Sequence, residues 1–106
     1  MADKLVGTWA FVSVVTPGTA VQLSATEKRV TVLNYHAKKE DGANTGNIFL
    51  GDSTVDRTAN QCFQIGNADG WGNFPITSAV NLQDLYIDAA TAGDGIYIYY
   101  EEGQVV

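Results

Sequence analysis

The segment LYIDAATAGDGIYIYY, Leu85–Tyr100, places Asp88, Gly93 and Asp94 between two aromatic-rich runs, close to the spacing of a calcium-binding loop. Such a loop needs hard oxygen ligands at its first, third, fifth and twelfth positions. Counted from Asp88, those positions hold Asp88, Ala90, Ala92 and Tyr99, so only the first residue and Gly93 fit. Methyl groups stand where ligands should point. The segment reads instead as a turn between strands, with Gly93 and Gly95 free to take positive φ and Asp94-Gly95 as a turn dipeptide, and the predicted unit is a hairpin.

Other chemistry is scarce. A zinc site needs three or four nitrogen or sulfur ligands, and this chain has one histidine, His36, and one cysteine, Cys62. His36 lies near a strand end, where it reads as a solvated side chain. Cys62, within NQCFQI, reads as a small buried hydrophobe in a reduced or redox-neutral setting, with no basic neighbour to lower its pKa. GDSTV, Gly51–Val55, lacks the second glycine and following helix of a hydrolase nucleophile turn. The chain holds eight aspartates and four glutamates. Asp52, Asp56, Asp69, Asp88 and Asp94 sit in turn-like surroundings, where bonds to the backbone account for them. No phosphate-cradling glycine loop opens a helix. No catalytic, cofactor or metal residues are assigned, and the expectation is a protein that is not an enzyme.

Charge narrows the partners. The net charge is −6; residues 54–106 carry Arg57 alone against seven acids. Duplex nucleic acid is bound by basic groups that neutralise phosphates, so no nucleic-acid partner is expected. Lys28-Arg29 and Lys38-Lys39 read as strand ends or solvated edges. LVGTWAFVSVV, Leu5–Val15, has the length of a signal-peptide apolar region, but MADK carries no net positive charge, and the run reads as a first strand. No stretch reaches the eighteen or so apolar residues of a membrane span.

The elements that position these residues are strands. Their predicted spans are Thr8–Val15, Ala20–Leu23, Arg29–Ala37, Asn47–Gly51, Gln61–Ile65, Phe74–Thr77, Leu85–Ala89 and Ile96–Glu101, with one short helical turn near Leu82–Asp84. Turn chemistry punctuates them at Thr16-Pro17-Gly18, Glu40-Asp41-Gly42, Asn44-Thr45-Gly46, Asn67–Gly72 and Gly93–Gly95. At 106 residues this predicts one domain, residues 1–106, an all-β antiparallel sandwich, a jelly roll of about eight strands. In the third strand Val30, Val32, Asn34 and His36 are expected on one face.

The first strand exceeds what a lone sandwich requires. Ala10, Val12 and Val14 alternate with Trp9, Phe11 and Val15, so both faces are apolar, whereas a strand covered on one side alternates apolar with polar. A long loop or another subunit must cover the second face. Tyr86, Tyr97 and Tyr99 pose the same question, either as an oligomer contact or as ordinary cross-strand packing. In GNADGWGNF, Gly66–Phe74, Trp71 and Phe74 stand among glycines and amides. They could stack on a sugar ring or dock into a partner, or Trp71 could fold back to plug one end of the sandwich.

Four runs carry a family resemblance: GTAVQLS at Gly18–Ser24, KRVTVLN at Lys28–Asn34, NTGNIFLGDSTV at Asn44–Val55 and DLYIDAATAGDGIYIYY at Asp84–Tyr100. Together they resemble a family of small bacteriophage virion proteins encoded among head or tail structural genes. The match spans roughly residues 17 to 100. Met1–Val15 lies outside it, and Cys62–Ile76 carries an aromatic, glycine-rich insertion where the family has a short turn. The resemblance implies a β-sandwich that decorates or cements a particle, without identifying which surface; the reading built on it is a capsid decoration or cement protein, made in the host bacterial cytoplasm and sited on the virion capsid surface. That reading expects a trimer that binds the major capsid protein or another virion protein, with no membrane contact. On that reading Trp9, Phe11, Val15, Trp71 and Phe74 are the expected partner contacts, with residues 1–15 as an assembly arm or strand, and Tyr86, Tyr97 and Tyr99 the oligomer interface. The rival readings are a receptor- or glycan-binding module of a head fibre or tail, using Trp71, Phe74, Asn67, Asn73 and Asp69, and a tail or neck structural protein.

Overall fold

The computed structural model describes residues 7–38, 42–56, 58, 62–66 and 70–102. The strands are β1 (Gly7–Ser13), β2 (Val21–Gln22), β3 (Arg29–Ala37), β4 (Ile48–Gly51), β5 (Phe63–Ile65), β6 (Gly72–Asn73), β7 (Val80–Asn81), β8 (Tyr86–Ala89) and β9 (Gly95–Glu102). A single 3-10 turn covers Leu82–Asp84, where a helical turn is predicted; its cap, Asn81, accepts a bond from the Gln83 amide. The strands form two antiparallel sheets. One has the order β1-β9-β3-β6, with β7 also on β3; the other has the order β2-β8-β4-β5. Pairing is nested: β1 with β9, β2 with β8, β3 with β7 and β6, and β4 with β5.

The core lies between the sheets. The inward positions of β9 are Ile96, Ile98 and Tyr100; facing residues include Ile48, Leu50, Ile65, Ile87 and Ala89, all buried. In β3 the expected single face is broken. Val30 pairs with Glu102 and Val32 with Glu101, so two steps along β3 match one along β9. This bulge changes the phase of the strand. Val30 therefore joins Leu33, Tyr35 and Ala37 in or against the core, while Val32, Asn34 and His36 point outward.

The predicted hairpin at Leu85–Tyr100 is corrected. β8 sits between β2 and β4, and β9 sits between β1 and β3 in the other sheet. A strand has two edges, and both are taken in each case, so the two strands cannot pair with each other. Residues 90–94 carry the chain between sheets through a turn in which the Asp94 amide donates to the Thr91 carbonyl, 3.3 Å. Gly93, at φ 91°, supplies the left-handed step, and Gly95 takes no positive φ. The predicted strand Phe74–Thr77 is also displaced to Gly72–Asn73. Pro75 has no amide to donate, and Gly72 fits against the Tyr35 ring, where a Cβ would lie 2.8 Å from it. Cys62, expected to be buried, is half-buried.

The polar residues of the opening segment hold this crossover. Asp94 is buried and accepts the amides of Thr45 (2.9 Å) and Gly46 (2.8 Å). Asn44 mimics a strand neighbour, donating to the Gly95 carbonyl (2.8 Å) and accepting the Gly95 amide (3.0 Å). Asp88, fully buried, accepts the Gly18 amide at 2.9 Å, which ties the Pro17-Gly18 turn to β8. Among the described residues no three His, Cys, Asp or Glu side chains gather to hold a metal. Asp52 and Asp56 behave as turn residues, each accepting the amide two residues on, at 2.8 Å. Asn44→Ala leaves both backbone groups of Gly95 without this side-chain partner, and is expected to cost roughly 2–4 kcal/mol, read as a lower urea midpoint at unchanged slope.

Candidate functional site: an aromatic face

β1 and β9 pair over seven residues, Gly7 opposite Glu101 through Ser13 opposite Gly95. Beyond the strand end, the Val14 amide donates to the Asp94 carbonyl at 2.9 Å, and the Val14 carbonyl accepts from Gly93. By alternation Thr8, Ala10 and Val12 direct their backbone groups to β9, whereas Trp9 and Phe11 occupy the non-hydrogen-bonded positions, where facing side chains approach most closely. Trp9 meets Tyr99 at 4.7 Å between ring centroids, and Phe11 meets Tyr97 at 4.6 Å.

Two glycines make room for these rings. A Cβ at Gly7 would lie 2.1 Å from the Tyr99 ring, and one at Gly95 would lie 2.8 Å from Phe11. Each ring therefore leans diagonally across the strand pair onto a residue without a side chain. Tyr99 is buried beneath Trp9, and its hydroxyl donates to Glu101 Oε2 at 2.6 Å.

The face continues across β3. Tyr99 pairs with Asn34 and Tyr97 with His36; Asn34 pairs in turn with Asn73. Trp71, just before β6, packs against His36 at 5.3 Å and meets Trp9 edge-on, centroids 5.3 Å apart at 80°. Their backbones are roughly three strand spacings apart, about 14 Å, so the indoles lean toward each other over the sheet. Trp9 stays 65% exposed and Trp71 49% exposed. Lys38 Nζ stands 5.3 Å over the Tyr97 ring, a cation–π contact worth about 0.5–1 kcal/mol at an exposed site.

The structure thus brings together Trp9, Phe11, Trp71, Tyr97 and Tyr99. It separates the other expected contacts. Tyr86 is on β8, in the opposite sheet, so it shares no face with Tyr97 and Tyr99; the crossover that replaces the hairpin is the reason. Phe74 packs edge-on against Phe63 at 5.3 Å and against the core, away from Trp71. Val15 is 74% exposed past the end of β1, with no place in these ring contacts. Trp71 plugs no end of the sandwich but lies on the outer face of its sheet. Asn67 and Asp69 fall outside the described residues, as do residues 1–6 of the expected arm. His36, expected to be solvated, is half-buried beside Trp71, and Lys38 joins the face at its far corner. The face as a whole offers apolar contact, ring stacking and a few amide hydrogen bonds.

No protein-family model, curated protein or solved structure matches this chain.

The carboxylate of Glu101 holds the Tyr99 phenol in its neutral, donating form and pushes its pKa up to about 12, with burial adding to the shift. A raised folded pKa stabilises the fold fully below the ordinary phenol value of about 10, and that contribution is lost as pH rises through about 12. In an absorbance titration of the five tyrosines, one is expected to stay neutral well past pH 10. In Glu101→Gln that residue should ionise closer to the ordinary value.

Proposed function

We propose that this protein is a non-enzymatic structural protein of a bacteriophage virion, a decoration protein that cements the capsid by binding its subunits, and that its fold is a jelly roll. Nested pairing supports the fold reading. With β6 and β7 counted as one interrupted strand, eight strands fall into two four-stranded sheets, and the chain changes sheet at every connection except β4 to β5. The functional reading rests on the family resemblance of residues 17–100, and one observation carries it: a contiguous aromatic face with two half-open tryptophans.

Contiguous exposed aromatic patches mark contact surfaces, because tryptophan and tyrosine concentrate binding energy at interface centres. The exposed parts of the two indoles amount to roughly 200–250 Å², worth about 5–6 kcal/mol gross on burial. That is modest for one copy. Many copies on one shell bind by avidity, so each contact can stay weak. A glycan-binding reading has one feature in its favour, the amides of Asn34 and Asn73 in the row beside Trp71.

The test is co-sedimentation with shells of the encoding phage stripped of accessory proteins. Wild-type protein should pellet with them, and Trp9→Ala/Trp71→Ala should lose at least about tenfold in affinity. The double variant removes three ring contacts, Trp9 with Trp71, Trp9 with Tyr99 and Trp71 with His36, and should lose roughly 2–4 kcal/mol of stability, so binding is compared at a temperature where circular dichroism shows both proteins folded. Glycan-array binding abolished by Trp71→Ala, without shell binding, would favour the module reading.

A further inference from the structure

The four sheet edges of this sandwich are unequal. β2 has two residues, β5 three, and β6 and β7 two each, whereas β1 runs for seven. Short edges are how sandwiches avoid pairing with other chains, together with charges, prolines and bulges placed on long edges. β1, GTWAFVS, has no charge and no proline, and its pairing with β9 has no register shift. No described residue pairs with its other side. Since Thr8, Ala10 and Val12 direct their backbone groups to β9, the amides and carbonyls of Gly7, Trp9, Phe11 and Ser13 line the open edge.

We propose that two copies of this chain pair antiparallel through β1, about a two-fold axis at Ala10, joining the two β1-containing sheets into one. Only this register overlaps all seven residues. It sets Trp9 opposite Phe11 of the second copy, and Gly7 opposite Ser13, each as a hydrogen-bonded pair, with Ala10 facing Ala10 at the non-hydrogen-bonded centre. The open-edge groups of both copies are then all matched. The aromatic ladder of Trp9 with Tyr99 and Phe11 with Tyr97 continues across the axis, so the contact extends a pattern the fold already has. The uncharged strand brings no like charges into direct opposition, although each chain carries −6. Salt should therefore strengthen pairing by screening the general repulsion. A contact about 24 Å long and one strand wide falls in the small class of interfaces, so the dimer should be reversible and concentration-dependent.

This inference does not depend on the virion reading, and a two-fold contact gives two copies where that reading expects three. Sedimentation equilibrium should show masses rising with concentration toward twice the 11.4 kDa chain. The register is tested by cysteine pairing in a Cys62→Ser background. Ala10→Cys places two thiols on the axis, with Cα atoms roughly 4.5 Å apart and within disulfide range. Val12→Cys places its pair roughly 14 Å apart, out of range. The expected result is efficient cross-linking of the first variant under mild oxidation and at least about tenfold less of the second. A monomer at every concentration, a trimer, or equal cross-linking of both variants would overturn the proposal.

Discussion

The structure depends on a strand that is apolar on both sides and central in its sheet. β9 sends Ile96, Ile98 and Tyr100 into the core and turns Tyr97 and Tyr99 outward, between β1 and β3. Inward burial drives folding, but the outward tyrosines need cover that a two-layer sandwich does not supply. Cover comes from the neighbouring strands: Trp9 and Phe11 lie on the tyrosines, and Trp71 closes over from the far side. The cost of hiding Tyr99 is an exposed Trp9. Apolar surface has been moved outward rather than removed.

This displacement links the fold to its surface. Glycines at Gly7 and Gly95 leave room for Tyr99 and Phe11 to lean across the strand pair; a Cβ at Gly7 would strike the Tyr99 ring, and one at Gly95 would meet the Val12 carbonyl at 2.5 Å and the Phe11 ring at 2.8 Å. The polar latch at the β8 to β9 crossover holds β9 from its start. Asn44 binds both backbone groups of Gly95, and Asp94 gathers the Thr45 and Gly46 amides. Asp94, from the segment that resembles a calcium loop, and Asn44, from a turn, thus position the strand on which the aromatic face is built. The same arrangement leaves β1 as the long outermost strand, so the face and the open edge share Trp9 and Phe11.

Much of this was legible from alternation. The limits of β3 and the helical turn at Leu82–Asp84 agree with periodicity and turn chemistry, and the two-sided apolarity of the first strand pointed to the outer face. Failures arose where local pattern cannot report long-range pairing. Thr31 is an unremarkable residue, yet the bulge around it moves Val30 to the core side and leaves His36 outside, facing Trp71. Asp94-Gly95 is a good turn dipeptide, but the chain turns at Gly93 and changes sheet, which parts Tyr86 from the other tyrosines. Trp71 and Phe74 are three residues apart but separated because Gly72 must face Tyr35, and alternation alone, with Gly72 inward, would have put Trp71 outside with Asn73.

The domain carries its two tryptophans on an outer face, and we propose that contact with a partner completes their cover. The two tryptophans of the chain are both in the face, so indole fluorescence reports on that face alone. Acrylamide quenching of the isolated protein at low concentration is the most direct measurement. The account predicts strong quenching of a red-shifted emission, falling when the protein is bound to a partner or concentrated. A blue-shifted, unquenched emission from the dilute chain would contradict it, because the indoles would then already be covered from within.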